Sequence, residues 1–304
     1  MDVTIRSGAD YIVRIVERPG MWMTQGQLVA LSTDLRSVAA RTLNNGDLSY
    51  GIFSGDPARM GAVIITLVSR PDGTPIAFNA LAVMTLDTAP HPTDVLHLGL
   101  VMVDPAERQR NLSWVLYGLT CFLIFFRRQF RPVWISNVTQ VPAVVGMVAE
   151  MFSYVWPRPG KGRRTLNHLL LARQILAKHR SVFGVGPEAE FDEERFVITN
   201  AYTGGSDDLK KKWEDAPKHR DERYNDFCAE QLDYERGDDV IQLGQMDLSA
   251  MRTYLSRAVP KSAVLGLLVL GSLVALRRVV LPIIYWSDSR THFATLRPWK
   301  APTK

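Results

Sequence analysis

Cysteine is scarce in this chain, which has only Cys121 and Cys228 among 304 residues. Two distant thiols are too few for a disulfide framework or a zinc site, and this favours a reducing compartment. The segment Met1 to Pro19 is charged and lacks an apolar core, so no signal peptide is predicted. The sequence also lacks Gly-x-Ser-x-Gly, His-Glu-x-x-His, a P-loop and Gly-x-Gly-x-x-Gly, which weighs against serine hydrolases, zinc proteases and common nucleotide-binding folds.

Charge and composition narrow the class of partner. Hydrophobic residues make up 46% and charged residues 22% of the chain, which is ordinary for a folded protein. The formal net charge of +5 suits an anionic partner. The basic residues are dispersed and no nucleic-acid-binding motif occurs, so phosphates of lipids or of coenzyme A are favoured over nucleic acid.

The stretch from Val95 to Leu116 is the most informative part of the sequence. An apolar run ends at Asp104, a basic loop follows, and an apolar helical pattern begins near Leu112. The first N–H groups of a helix have no intrahelical partner and lie at the positive end of its dipole. The pattern therefore predicts a strand, an anion-binding turn and a helix, with Arg108 and Arg110 adding positive charge.

The loop Arg108 to Ser113 resembles the acyl-CoA-binding motif of the GNAT acyltransferase superfamily, Gln/Arg-x-x-Gly-x-Gly/Ala, with Asn111 and Ser113 at the two small-residue positions. The resemblance implies acyl-CoA as co-substrate and no metal. The implied acyl-CoA contacts are Val101, Val103, Arg108, Gln109, Arg110, Asn111, Leu112 and Ser113. An ordinary strand-to-helix connection with solvated arginines is the alternative.

The elements on both sides of the motif follow the order found in the same family. Gly61 to Val68 and Pro75 to Leu86 are predicted as a hairpin, Arg131 to Asn137 as a strand, and Gln140 to Phe152 as a helix with a proline near its start. Gln140, Ala143, Met147 and Phe152 stand at the spacings of the family pattern Asn-x-x-Ala, Tyr and Phe. Met147 replaces a tyrosine that in many members protonates the departing thiolate.

The predicted fold is α/β: a GNAT-like mixed central sheet flanked by helices, a charged C-terminal extension and a hydrophobic membrane-associated segment. The domains are predicted as residues 1–180, 181–259 and 260–304. Thr24 to Thr42 is predicted as a helix. Charge runs after Val182, such as FDEERFVITN, are interpreted as solvated helix faces.

A second unusual segment runs from Ser262 to Trp286. Its first fifteen residues carry no charge, fewer than the roughly 20 that span a bilayer, and Arg277 and Arg278 then interrupt it. An in-plane or re-entrant membrane segment is therefore predicted, with a buried core helix or an oligomer interface as the alternatives. The helix from Leu112 to Phe126 is apolar almost all round and predicts a cover formed by the C-terminal extension, a partner subunit or lipid.

His97 is the candidate general base, because it lies in the strand before the loop and its intrinsic pKa is near neutrality. Asn137 and Tyr154, with Asp104, are candidates for polarising or proton-donating roles, and a structural role is the alternative for each. The resemblance implies an acyl-CoA-dependent N-acyltransferase. The favoured acceptor is a lipid amine such as a sphingoid base at the cytoplasmic membrane face, similar to GNAT-type bacterial ceramide synthases. A catalytically inactive membrane adaptor, a soluble acetyltransferase of proteins or small amines, and a homo-oligomer remain open.

Overall fold

A computed structural model of the chain describes residues 2–7, 10–43, 51–88, 92–108, 110, 112, 114–204 and 206–287. Three of the predicted acyl-CoA contacts, Gln109, Asn111 and Ser113, lie outside these ranges. The strands are β1 (Asp2–Ser7), β2 (Tyr11–Glu17), β3 (Val63–Ser69), β4 (Pro75–Leu86), β5 (Thr93–His97), β6 (Val101–Val103), β7 (Val133–Thr139), β8 (Ser153–Trp156), β9 (Glu190–Asp192), β10 (Val197–Thr199) and β11 (Asp239–Met246). The α-helices are α1 (Gln25–Thr42), α2 (Pro57–Met60), α3 (Thr120–Arg127), α4 (Pro142–Met151), α5 (Leu166–Lys178), α6 (Glu222–Gln231), α7 (Leu248–Thr253) and α8 (Lys261–Ser287).

The protein is α/β, with a mixed sheet flanked by helices, which confirms the predicted fold class at this level. Two compact units are present. The first comprises Met1–Leu81, Leu100–Pro132 and Met251–Lys304, and the second Ala82–Gly99 and Val133–Ala250. Strand β4 contributes its first part to one unit and its last five residues to the other.

The sheet of the first unit has the strand order β1, β2, β3 and β4, with β6 paired to β4. The predicted hairpin is confirmed as β3 and β4. Its turn is closed by a backbone hydrogen bond from Arg70 N to Thr74 O of 2.9 Å. Gly73 has a φ of +90° at this turn, a conformation that glycine adopts without a steric penalty.

Helix α1 confirms the helix predicted from Thr24 to Thr42. Thr24 caps it by accepting from the backbone N–H of Gln27, while the Gln27 side chain accepts from the backbone N–H of Thr24. Its buried side chains, Leu28, Leu31, Leu35 and Val38, recur at three- and four-residue spacing. The helix therefore presents one apolar side to the core of its unit.

The helix after the loop begins with a π-helical turn, Trp114–Leu119, and continues as α3. A Cβ on Gly118 would lie 2.1 Å from the ring of Tyr254, so only glycine leaves room for that ring. The Tyr254 hydroxyl donates to the carbonyl oxygen of Trp114 at 2.9 Å, and the ring also lies against Phe122. The C-terminal segment is therefore what covers this part of the apolar helix.

The second unit has the strand order β4, β5, β7, β11, β10 and β9, with β8 also paired to β11. The β5–β7 pair is parallel, while β11 is antiparallel to β7 over seven residue pairs. Sequence reasoning missed β11, because it assigned residues 181–259 to a charged extension. This strand is nearly completely buried and lies inside the sheet.

The helical interpretation of FDEERFVITN is wrong, because this segment forms the hairpin of β9 and β10. The Asp192 side chain accepts from the backbone N–H groups of Glu194 and Arg195, both at 3.0 Å, and this closes the turn. Phe196 adopts a φ of +56° and is fully buried. The charges thus belong to a turn and not to a helix face.

Helix α8 runs from Lys261 to Ser287 with Pro282 inside it. No turn divides it, so the re-entrant alternative has no counterpart in this structure. Arg277 lines a groove with Asp2 of β1, and the side chain of Arg278 lies outside the described part of the chain.

Arg127 at the end of α3 forms an ion pair with Glu17 of β2, which is 5% exposed. Arg127 Nη2 donates to Glu17 Oε1 at 2.7 Å. Burial has the largest effect and would raise the pKa of Glu17, but the pKa is lowered to about 2, and the hydrogen bonds and charge of Arg127 are the main cause of the lowering.

Replacing Arg127 by Met leaves the Glu17 carboxylate buried without this cation, so we expect the free energy of unfolding to fall by roughly 3–5 kcal/mol. Urea denaturation at neutral pH measures this loss, and the double variant Glu17→Gln/Arg127→Met should regain most of it. In the wild type the stabilisation is present above the ordinary pKa of 4.5 and is lost as the pH falls towards about 2. A loss under about 1 kcal/mol in the single variant would contradict the assignment.

Candidate functional site

The strand that was predicted to run uninterrupted to Asp104 is divided in two. β5 ends at His97, and the chain resumes a strand at Val101 as β6. The parallel ladder between β5 and β7 ends where His97 lies opposite Ser136, although β7 continues to Thr139. The candidate base and the candidate acyl-CoA strand therefore stand on opposite sides of a strand break.

The backbone of β6 is paired along one edge. Leu100 O accepts from a β4 amide at 3.1 Å, and Asp104 N donates to a β4 carbonyl at 2.8 Å. Because backbone groups alternate between the two edges of an antiparallel strand, those of Val101 and Val103 point away from β4. No other strand of the described residues pairs with β6. This edge can bond an extended ligand that carries amide groups.

The turn after β6 is held by Asp104. One carboxylate oxygen accepts from the backbone N–H of Ala106 at 3.0 Å, and the other accepts from Arg41 Nε at 2.6 Å. These bonds lower the pKa of Asp104, the Ala106 bond having the largest effect. The structure thus uses this candidate residue to fix the direction in which the chain enters the loop.

Glu107 is the residue of this turn that sequence reasoning missed. Its carboxylate is 2% exposed and forms ion pairs with Arg70 and, at 3.4 Å, with Arg110. The hydroxyl of Tyr11 also donates to it at 3.4 Å. Arg110 is thus engaged by a buried acid, whereas exposed Arg108 has no acidic partner among the described residues.

The helical turn after the loop begins as predicted. Leu112 is buried, and its carbonyl accepts from the N–H groups of Val115 and Leu116, both at 3.1 Å. Fully buried Asn79 of β4, which lies opposite Val101, donates its side-chain amide to the carbonyl of Leu116. The π-helical turn is therefore attached to the strand that carries β6.

His97 is 3% exposed, and its Nδ1 lies 3.0 Å from the Ser136 hydroxyl. Its ring is tilted against Phe183, with 4.9 Å between the ring centroids. Burial lowers the pKa of His97 to about 4, so the imidazole is neutral at neutral pH. When Nδ1 donates to Ser136, Nε2 keeps a lone pair that can accept a proton.

Asn137 follows Ser136 on β7 and therefore projects from the opposite face of the sheet. Its Nδ2 donates to Gln242 Oε1 at 3.2 Å, and both residues are buried. Gln242 in turn donates to the carbonyls of Val145 and Pro157. The structure places Asn137 in a side-chain network between β7 and β11, away from the His97 ring.

Tyr154 lies at the surface with 70% exposure and a φ of +53°. Its carbonyl accepts from Nε2 of His168 at 2.7 Å, which helps to hold this strained residue in place. β8 is the third strand counted from β5, so at about 4.8 Å per strand Tyr154 is on the order of 14 Å from His97. The structure does not bring these two candidates together.

Within the described residues, no three side chains of His, Cys, Asp and Glu are grouped to hold a metal ion. No known family model matches the chain, and no curated protein matches it either. The geometry of the candidate site therefore carries the functional argument.

The low pKa of His97 predicts a pH dependence of stability. Between about 4 and the ordinary value of 6.5 the unfolded chain binds a proton that the folded chain excludes, so stability falls as the pH decreases through this window. We expect His97→Gln to remove about 3 kcal/mol of this change. Urea denaturation at several pH values, taken as the difference between variant and wild type, measures it.

The stability of the variant has to be compared with that of the wild type at each pH, because a second buried group also titrates. Burial raises the pKa of Asp239 to about 7, and this group makes stability depend on pH with the opposite sign. Asp239→Asn is the matched control, since it should change the slope in the other direction. Parallel profiles for wild type and His97→Gln would contradict the buried neutral state of His97.

Proposed function

We propose that the chain is an acyl-CoA-dependent N-acyltransferase of the GNAT type, which transfers an acyl chain to an amine. The observation that carries this proposal is the outer edge of β6, where the backbone groups of Val101 and Val103 point away from β4 and pair with no other described strand. That edge leads through the Asp104 turn to Arg108 and to a helix start. The order is the one that the family resemblance predicts.

In this proposal, the amides of the pantetheine arm of acyl-CoA form hydrogen bonds with Val101 and Val103, as a strand would. The pyrophosphate lies at the loop, where the first helical N–H groups and Arg108 favour a negative charge. Glu107 keeps Arg110 near the turn. The same resemblance assigns Gln109, Asn111 and Ser113 to this contact.

The chemistry joins an amine nitrogen to the thioester carbonyl carbon while the carbon–sulfur bond breaks. The amine loses a proton, and the departing thiolate gains one. His97 is the proposed base: its neutral imidazole can take the amine proton at Nε2 while Ser136 fixes the ring through Nδ1. Its low pKa makes it a weak base, which suits an acceptor that enters an apolar site uncharged.

The favoured acceptor is a membrane lipid amine such as a sphingoid base, and the proposed location is the cytoplasmic side of the membrane. The supporting observation is α8, which has the length and apolar composition to cross a membrane and belongs to the same unit as β6. Such an acceptor can keep its hydrocarbon chain in the bilayer while acyl-CoA arrives from the cytosol.

A second candidate function is a catalytically inactive GNAT-fold membrane adaptor. Two observations favour it: Met147 stands at the family's tyrosine position, and burial leaves His97 a weak base. Binding of coenzyme A without turnover distinguishes this candidate from the enzyme. A soluble acetyltransferase would instead acylate proteins or small amines in the absence of lipid.

For the binding step, Arg108→Glu should weaken acyl-CoA binding by roughly 10-fold or more, because it places a negative charge where the proposal puts the pyrophosphate. Calorimetric titration with palmitoyl-CoA and with coenzyme A measures the change. Arg131→Glu replaces another exposed arginine of the same unit and should bind like the wild type. If the wild type binds neither ligand, the proposal fails.

For the chemical step, His97→Ala should lower turnover by roughly 10²–10⁴-fold while acyl-CoA affinity stays nearly unchanged. Labelled palmitoyl-CoA and a sphingoid base, followed by extraction of the amide product, measure turnover. His97→Gln separates packing from proton transfer, because it keeps a polar side chain beside Ser136. A wild-type rate in both variants would remove His97 from the mechanism, even if the amide formed.

A further inference from the structure

The exposed side of α8 carries a long stripe of apolar side chains. Its members are each more than half exposed and recur every three or four residues: Leu265, Val269, Leu273, Leu276, Val279, Ile283 and Trp286. At 1.5 Å per residue this outer stripe is about 32 Å long. A contiguous apolar surface of this size marks an interaction site in a soluble protein.

The opposite side of α8 packs against the rest of its unit. Leu267 and Val274 are each 5% exposed, and Gly271 lies so close to the Phe126 ring that a Cβ there would be 2.8 Å from it. The residue after Phe126 is Arg127, which holds the buried Glu17 carboxylate. A helix that crossed a bilayer would carry this ion pair towards the hydrocarbon, where buried charges are strongly disfavoured.

The described charges near α8 lie on the flank of the helix or at its N-terminal end. Arg277 lines a groove of about 350 Å³ with Asp2 of β1, on the flank of the helix. Arg252, Arg257 and Lys261 are exposed and lie just before or at the start of the helix. Among the side chains that the structure describes, no ionisable one lies between Leu265 and Trp286 on this side of the helix.

The distribution of charge along the sequence points to an anionic partner. From Leu248 to Ser287 there are five basic and no acidic residues, so the remainder of the chain has 31 of each sign. The whole formal charge of +5 therefore belongs to the segment that carries the stripe. Two copies meeting through α8 would bring these cations together with no acid from the segment to pair them, which disfavours a second copy.

We infer that the outer stripe docks on an anionic lipid bilayer with the axis of α8 parallel to the membrane plane. The apolar side chains enter the headgroup and acyl-chain boundary, while Arg252, Arg257 and Lys261 lie near lipid phosphates. Trp286, which is 93% exposed, lies at the interface, where its ring is favoured. This inference does not depend on acyl transfer.

Flotation with vesicles tests the surface. We expect the wild type to float with vesicles of mixed phosphatidylcholine and phosphatidylglycerol and more weakly with phosphatidylcholine alone. Val269→Glu, a change at a site 53% exposed, should lower the apparent partition coefficient roughly 10-fold or more. The matched control is Val29→Glu on α1, which is 52% exposed in the same unit and should leave flotation unchanged.

Depth measurements test the orientation. Cys121 and Cys228 are both buried, so a thiol-reactive fluorophore can be directed to Leu265→Cys, Leu276→Cys or Ile283→Cys. Lipids with quenchers at different depths should place all three probes at a similar, shallow level. A deep probe at position 276 between shallow probes at 265 and 283 would show a spanning helix and overturn the inference.

Equal flotation of wild type and Val269→Glu would also overturn it, as would a dimer that Val269→Glu converts to monomer without any vesicle binding. Sedimentation velocity without lipid shows whether the wild type is a dimer and whether Val269→Glu is a monomer. Vesicle binding without amide formation would leave the docking surface intact and count only against the proposed enzyme. Amide formation by a protein that never binds vesicles would support the proposed enzyme and overturn the docking surface.

Discussion

The pairing of β4 is the constraint that sets the place of His97 in its unit and the place of β6 in the other unit. Its later residues pair with β5 and its earlier residues with β6, so the two short strands each take a place along one long strand. Between them, Leu98 N bonds to β7 and Leu100 O bonds to β4. Buried backbone groups must find partners, and the chain changes its pairing strand between His97 and Val101. His97 therefore belongs to one unit, and in the other unit the backbone groups of Val101 and Val103 point away from β4.

The second organising feature is the cover that the C-terminal segment places on α3. Phe122 and Phe126 are buried and would otherwise form an exposed apolar face. Tyr254 and Gly271 contact them, and the Tyr254 hydroxyl bonds to the first residue of the π-helical turn. The segment that carries the proposed lipid surface is thus also part of the support for the helix that follows the candidate acyl-CoA loop.

Local patterns accounted for much of the first unit. The hairpin of β3 and β4 followed from two apolar runs around a turn with Gly73, and α1 followed from apolar residues at helical spacing. The helix start near Leu112 followed from the change in hydrophobic period. Charge patterning misled at Asp192 to Phe196, because a carboxylate that caps a turn and one on a solvated helix face have the same signature in sequence.

What the sequence determined by itself is local: which segments form strands or helices, where the basic loop lies, and that residues 262–276 are too apolar for an ordinary solvated helix. Tertiary structure decided the pairings that act over long separations. Ser136 became the partner of His97 through a parallel register, and Glu107 became the acid that holds Arg70 and Arg110. Only packing on α3 divided α8 into an inner side and an outer stripe, because a helix that is apolar all round contains no periodic signal to say which side is covered.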